Sequence, residues 1–231
     1  NTPYRINMKT ERARFNMIEQ QIRPWDVLDA QVLELLASVR REDFVPAAHQ
    51  ALAFVDTQVP LLPGQPHGPA MLEPKVEARL LQALQLQRHE SVLEIGAGSG
   101  FMAALLAHRA LKVTTLECRP ELARQARENL ARAGLTQVRV VDCSAADGAR
   151  GLPAEAPFDA IVLSGSVAEV PAALLQQLKP GGRLVAIVGS EPVMRARLYT
   201  RSGDAAWAQT DLFDTVAPRL DGFAEPTRFS F

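Results

Sequence analysis

The sequence predicts an α/β fold, built on a doubly wound and mostly parallel sheet of the Rossmann-like kind. Apolar runs of strand length alternate with helical segments over the second half of the chain, as in parallel sheets covered on both faces. The first of these runs enters a glycine-rich turn at residues 96–100. The chain has 231 residues, 47% of them hydrophobic, and can bury one large core. We therefore expect one integrated domain.

The first crossover of the sheet is predicted in full. Residues 92–95 form an apolar strand, and residues 101–108 suit the helix behind the glycine-rich turn. Residues 111–116 form the second strand. The next helix is predicted over 121–133, because Pro120 fits a first helical turn, where a missing N–H has no cost.

The remaining elements continue the alternation. Residues 138–141 form the third strand, and residues 157–163 form a fourth whose nearly continuous apolar run is typical of a strand buried on both faces. A helix is predicted over 167–178. The turn sequence Lys-Pro-Gly-Gly at 179–182 ends this helix, and residues 183–189 form the fifth strand.

Both ends of the chain depart from the alternating pattern. Residues 196–200 and 207–213 are predicted to pair as a C-terminal β-hairpin, and an N-terminal helical appendage precedes the sheet. Three regions follow from this organisation. Residues 1–7 are an expression remnant or a poorly ordered lead, residues 8–75 are a helical region that ends in a loop, and residues 76–231 are the core.

The glycine-rich turn predicts a bound cofactor. Glycine lacks a Cβ atom, so its backbone can approach a ligand closely. The pattern Gly-x-Gly-x-Gly puts the third glycine one residue earlier than in dinucleotide-binding proteins, and a glutamate stands two residues before the first glycine. This pattern is typical of enzymes that use S-adenosylmethionine, although a structural strand-to-helix turn can have the same residues. The predicted binding residues are Glu94, Gly96, Ala97, Gly98, Ser99 and Gly100.

Acidic residues and cysteines follow the next two strands. Glu117 ends the second strand, where a carboxylate can accept hydrogen bonds from both ribose hydroxyls. Asp142 ends the third strand and is a candidate for the exocyclic amine of adenine. We expect Cys118 and Cys143 at the same site, with Cys143 packed beside the adenine ring. Each of these can also be an ordinary strand-end residue.

Composition and charge argue against several classes of partner. The formal net charge is −1 and no window carries a block of like charges, so nucleic acid is not an expected partner. No apolar run is long enough to span a bilayer, so no membrane partner is expected. The chain's two cysteines lack the spacing of a metal site or a disulfide framework, so we expect no metal and a cytoplasmic location.

Several segments resemble the protein-L-isoaspartate O-methyltransferases. They include residues 17–23, 53–56 and 178–185, and the most specific is Arg41-Glu42-Asp43-Phe44-Val45-Pro46. The resemblance extends over roughly residues 15 to 200. It implies a class I methyltransferase fold, S-adenosylmethionine as the cofactor, and a protein or peptide acceptor in which the α-carboxylate of an isoaspartyl residue is methylated.

The acceptor loop departs from this family. When the loop is aligned on Pro74, Leu72 falls where the family has a serine at the acceptor carboxylate, and Glu73 falls where it has a glutamine. A leucine cannot donate a hydrogen bond, so this exchange predicts poor methylation of an isoaspartyl peptide. The segment after the third strand is also longer than in the family by about three residues, which makes Asp147 the alternative to Asp142 at the adenine.

The candidate catalytic residues on the acceptor side are Leu72, Ser164 and Ser166. The two serines follow the fourth strand, although either can instead cap the helix predicted behind it. A carboxylate acceptor is ionised near neutral pH, so its methylation needs no general base. Two other functions stay open: methylation of a different small-molecule or protein acceptor, and a non-catalytic role as a cofactor-binding sensor or adaptor. The oligomeric state is left open too.

Overall fold

A seven-stranded sheet organises the molecule. The computed structural model describes residues 7–227, and in that range the chain forms nine strands and seven α-helices. The strands are β1 (Val59–Pro60), β2 (Ala70–Met71), β3 (Ser91–Ile95), β4 (Lys112–Glu117), β5 (Arg139–Asp142), β6 (Phe158–Val167), β7 (Leu178–Ser190), β8 (Val193–Gly203) and β9 (Ala206–Thr215). The helices are α1 (Met8–Met17), α2 (Ala30–Ser38), α3 (Pro74–Leu84), α4 (Phe101–Ala107), α5 (Pro120–Arg132), α6 (Ala145–Ala149) and α7 (Ala172–Leu175).

The strand order in the sheet is β5-β4-β3-β6-β7-β8-β9. The pairs from β5 to β7 are parallel, and the last two pairs are antiparallel. The chain starts the sheet in the middle at β3, extends it to one side through β4 and β5, and returns to the other side at β6. The predicted doubly wound sheet and C-terminal hairpin are confirmed. The switch point, where such sheets bind ligands, lies at the carboxyl ends of β3 and β6.

Alternation along the strands gives the sheet two hydrophobic faces. Val92 and Val113 belong to a core shared with α2, α3 and α4, whereas Leu93 and Leu116 belong to the core on the opposite face. Successive side chains of a strand point to opposite faces, so a strand covered on both sides has to be apolar at nearly every position. Because both faces of the sheet are covered by apolar cores, the polar side chains of a binding site are expected at the carboxyl ends of the strands.

The helix predicted over 167–178 is much shorter in the structure, where only the four residues of α7 are helical. Strand β6 continues to Val167, which pairs with Val188 of β7, and the residues on either side of α7 form bends and turns. Pro171 stands at the N-cap of α7, since its φ angle is fixed and it has no N–H to donate.

The N-terminal helices share the core of the sheet. Met17 and Leu36 are buried in the same cluster as Val92. The boundary predicted between residues 75 and 76 falls within the first turn of α3. Of the lead predicted over residues 1–7, only Asn7 lies within the described residues, and its side chain caps α1. No helix among residues 7–227 combines the length and the apolar character needed to cross a membrane.

Candidate active site

The glycine-rich turn joins β3 to α4 at the switch point. The backbone N–H groups of Gly96 and Ala97 donate to the carbonyl oxygen of Leu116 at 2.9 and 3.2 Å, so the turn is fastened to the end of β4. Gly98 has a φ angle of +55°, in the left-handed region that disfavours other residues. Gly100 serves packing, because a Cβ atom there would lie 3.3 Å from the carbonyl oxygen of Ala126 in α5.

Glu117 ties the turn to the next strand. One carboxylate oxygen accepts the N–H of Gly98 at 2.9 Å, and the other accepts the N–H of Arg119 at 3.1 Å. Burial raises the pKa of Glu117 above its ordinary value, and these backbone donors act against that rise. Each oxygen keeps a lone pair for a further donor. Glu117 can therefore accept hydrogen bonds from a ligand without giving up its own contacts.

An inner cavity of about 270 Å³ opens above this part of the sheet. Its walls combine strand ends, the acceptor loop (residues 60–74) and the C-terminal segment (residues 217–222). Among the residues predicted from sequence, six line it: Gly96, Gly98, Glu117, Cys118, Cys143 and Ser164. Burial raises the pKa of the Cys118 thiol to about 11. That thiol therefore stays neutral near pH 7 and acts as a weakly polar wall.

Glu94 is buried beneath the turn. Its carboxyl group accepts the hydroxyls of Thr115 at 2.6 Å and Ser164 at 2.5 Å, and it is fully inaccessible to solvent. Burial raises the pKa of Glu94 to about 8, although both hydroxyl donors lower it. Glu94 does not line the inner cavity. It lines a small void of about 40 Å³ beside that cavity, together with Leu72, Ala97 and Ser99.

The structure does not place Asp142 among the residues that line the inner cavity. Strand β5 is the outermost strand of the sheet, two strands away from the switch point at β3. The carboxylate of Asp142 is half-exposed there and pairs with Arg127 of α5. The alternative, Asp147, is exposed on α6, where its N–H donates to Ser144 Oγ at 3.1 Å. Cys143, Ala145 and Gly148 line this side of the cavity instead.

The three acceptor-side residues occupy different places. Leu72 is buried, and its carbonyl oxygen accepts Arg41 Nη2 at 2.9 Å. Ser164 reaches both the inner cavity and the small void. Ser166 lies outside the inner cavity and donates to the carbonyl oxygen of Ala217 at 2.8 Å. Neither serine caps a helix, since β6 continues through both residues.

The acceptor loop and the C-terminal segment cover the site. A second, outer cavity of about 750 Å³ shares His67, Gly68 and Ala70 of the loop with the inner one. The C-terminal segment runs beside β6 through reciprocal backbone hydrogen bonds of 2.8 Å at Ser166. Leu220 packs so closely over the turn that a Cβ atom on Gly96 would come within 2.8 Å of it. Local sequence patterns do not reveal this segment, because it has no periodicity.

The comparison with protein families favours one of the functions predicted from the sequence. The family model described as Protein-L-isoaspartate(D-aspartate) O-methyltransferase matches residues 12–216. The chain belongs to the protein-L-isoaspartate O-methyltransferase family. This confirms the resemblance noted in the sequence and the predicted enzyme class, a methyltransferase.

Individual relatives of the protein-L-isoaspartate O-methyltransferase family agree over most of their length. A protein-L-isoaspartate O-methyltransferase from Methanoculleus marisnigri is 44% identical over 178 residues, which cover 77% of this chain and 78% of the relative. One from Rhodopseudomonas palustris is 41% identical over 214 residues, which cover 91% and 95% of the two chains. The acceptor loop therefore lies within the aligned part of the family.

Solved structures of this family share the fold. One protein-L-isoaspartate O-methyltransferase superimposes with a TM-score of 0.74 at 21% identity, over 94% of this chain and 66% of that one. A Plasmodium falciparum protein described as a member of the family was solved in complex with S-adenosyl-L-homocysteine. It superimposes with a TM-score of 0.72 at 18% identity, over 92% and 98% of the two chains. These likenesses confirm the class I methyltransferase fold.

Proposed function

We propose that this protein methylates the α-carboxylate of isoaspartyl residues in proteins or peptides, with S-adenosylmethionine as the methyl donor. The observation that carries the proposal is the contact between Glu117 and Gly98 at the switch point, in a chain of the protein-L-isoaspartate O-methyltransferase family. The Plasmodium falciparum relative binds S-adenosyl-L-homocysteine, which is the demethylated form of that donor. The inner cavity is the proposed donor site.

The groups in the inner cavity fit an adenosyl compound. Glu117 offers carboxylate oxygens for the two ribose hydroxyls, and Leu116 and Ala145 offer apolar surface for a base. A Cβ atom on Gly98 would lie 3.2 Å from Leu61 Cδ1, closer than an ordinary van der Waals contact. Glycine is therefore needed in the turn to leave room beside Leu61 as well as for the φ angle.

The chain's own groups position the reactants and keep water out. When bound, S-adenosylmethionine supplies an electrophilic methyl group. The acceptor carboxylate is already ionised, so no protein group has to remove a proton from it. The acceptor loop and the C-terminal segment bound both cavities, so they can hold a peptide next to the donor and exclude solvent from the reacting pair.

A pair of peptides tests the proposed function. An isoaspartyl peptide should accept methyl groups, although more slowly than with relatives that have the serine at the position of Leu72. Its twin with a normal aspartyl residue should not accept them, since only the first peptide has the abnormal backbone geometry. Methyl transfer is measured with labelled S-adenosylmethionine at a concentration below saturation, and Glu117→Ala serves as the low-activity control. Equal transfer to both twins, or none to either by enzyme that binds the donor, would favour methylation of a different acceptor.

Glu117→Ala should weaken the binding of S-adenosyl-L-homocysteine at least about tenfold, because charge-assisted hydrogen bonds are worth roughly 1.5–3 kcal/mol each. Calorimetry of the folded variant measures the change. Asp142→Ala is the matched control, since it removes a carboxylate in register with Glu117 on the neighbouring strand. It should bind with unchanged affinity. If Asp142→Ala lost more affinity than Glu117→Ala, we would conclude that the donor binds nearer to β5.

The cytoplasm is the proposed compartment. Cys118 and Cys143 are both free thiols, although they follow neighbouring strands. Free cysteines are usual where thiols are kept reduced.

A further inference from the structure

Arg219 lies in the wall between the two cavities. It lines both of them, and it is the only arginine or lysine among the described residues that line the outer cavity. Its guanidinium is held at the carboxyl end of β7. Nη1 donates to the carbonyl oxygen of Gly189 at 2.6 Å, and Nη2 donates to Ser190 Oγ at 3.3 Å. The position of this cation is therefore fixed by β7, whatever carboxylate faces it.

Glu225 places a carboxylate against this guanidinium. The Nε–Oε1 distance is 2.6 Å and the Nη2–Oε2 distance is 3.2 Å, a two-pronged contact that suits a planar carboxylate. Glu225 stands in a stretch without regular structure, and its side chain is 54% exposed. An exposed ion pair of this kind contributes little to stability, so another carboxylate can replace Glu225 at small cost.

We propose that Arg219 binds the reacting carboxylate of the acceptor, and that Glu225 is an internal competitor that occupies this position when no peptide is bound. The inference rests on the proposed function, in which the acceptor presents a carboxylate near the donor site. Leu72 stands where the family has a serine, and its side chain can donate no hydrogen bond. Leu72 lines only the small void beside the inner cavity, whereas Arg219 supplies donors and a positive charge at both the inner and the outer cavity.

The proposed contact is compatible with methyl transfer. A carboxylate oxygen that accepts one hydrogen bond keeps a second lone pair, so a carboxylate bound to Arg219 can still attack through either oxygen. The pairing also predicts a cost for peptide binding. Because Glu225 neutralises Arg219, an incoming peptide has to displace it, and we expect the peptide to bind more weakly than it would to the free guanidinium.

Binding of a fluorescently labelled isoaspartyl peptide, measured by anisotropy with S-adenosyl-L-homocysteine present, tests the inference. Arg219→Gln should weaken the peptide affinity about tenfold, since it removes a charged donor. Glu225→Gln should strengthen it about two- to fivefold, since it removes the competitor. In the Arg219→Gln background, Glu225→Gln should have no effect, because the two changes act through one contact.

A matched variant separates this role from a structural one. Arg195→Gln removes an arginine that pairs with Asp211 and Asp214 on the hairpin and lines neither cavity, so it should leave the peptide affinity unchanged. Melting temperature and affinity for S-adenosyl-L-homocysteine check the folding of each variant. A loss of structure cannot strengthen peptide binding, so the gain expected for Glu225→Gln has no structural explanation.

Failure of the inference and failure of the proposed function give different results. Unchanged peptide affinity in a folded Arg219→Gln variant, with methylation by the wild type intact, overturns only the role of Arg219. Peptide binding that depends on Arg219 and Glu225 as expected, but without methylation, overturns only the proposed function. A wild type that does not bind the isoaspartyl peptide overturns both.

Discussion

Gly98→Val is expected to reduce the affinity for S-adenosyl-L-homocysteine by at least about a hundredfold, equivalent to roughly 2.7 kcal/mol. Gly98 lines the inner cavity, and the methyl groups of a valine would occupy space that the ligand needs. The same change should lower the free energy of unfolding by only about 1–2 kcal/mol, the cost of a left-handed backbone for a residue with a Cβ atom. Calorimetry and urea unfolding measure the two quantities.

Gly134→Val provides the matched control for this experiment. Gly134 has a φ angle of +75° just after α5, and a Cβ atom there would meet no atom within 4 Å. The two variants therefore introduce similar backbone strain, but only Gly98 is at the cavity, where the added Cβ atom would also lie 3.2 Å from Leu61. Gly134→Val should bind the ligand normally. If both variants lost affinity alike, or if Gly98→Val kept it, the turn would have a structural role only.

Arg41→Met is expected to lower the free energy of unfolding by about 3–5 kcal/mol, because it leaves a buried carboxylate without its partner. Arg41 Nη1 donates to Glu77 Oε1 at 2.8 Å, and the two side chains are 2% and 6% exposed. Burial already raises the pKa of Glu77, and Arg41 is the group that opposes this rise. Urea unfolding at neutral pH measures the loss.

Two further variants identify the cause of that loss. Arg41→Met combined with Glu77→Leu should recover part of the stability, since no unpaired charge stays buried. Arg195→Met, at an exposed ion pair on the hairpin, should cost at most about 1 kcal/mol. A double variant as unstable as Arg41→Met would show instead that packing around the guanidinium is responsible. The guanidinium carbon of Arg41 lies 4.9 Å from the centroid of the Phe101 ring, so the guanidinium also packs against an aromatic side chain.

Much of the sheet and of the candidate donor site could be predicted because local patterns specify them. Strands β3 and β4, the glycine-rich turn and Glu117 follow one another within about 26 residues, and each has a distinct signal of hydrophobicity, glycine spacing or charge. Their contacts also form between neighbouring strands. The carboxylate of Glu117 therefore faces the turn as the sequence indicates.

The structure differs from the predictions where long-range contacts decide. The predicted helix begins at Val167, but β6 continues through this residue because it pairs with Val188 of β7. Asp142 does end a strand, as predicted, but the strand is the outermost one and α5 offers Arg127 there. The covering residues around Leu220 come from the far end of the chain. No pattern within a short window contains that information.

A hydrogen bond next to the acceptor loop and the C-terminal segment has a consequence for the order in which the molecule folds. Gln58, two residues before the loop, donates through Nε2 to the carbonyl oxygen of Val216, just before the C-terminal segment, at 2.8 Å and across 158 positions of the chain. Contacts of such long range form late, because a large loop has to close before they yield any stabilisation. The central sheet can therefore assemble ahead of the walls of the two cavities. Recovery of methyl transfer during refolding should lag behind recovery of secondary structure, and enzymatic activity becomes a reporter for the last step of folding.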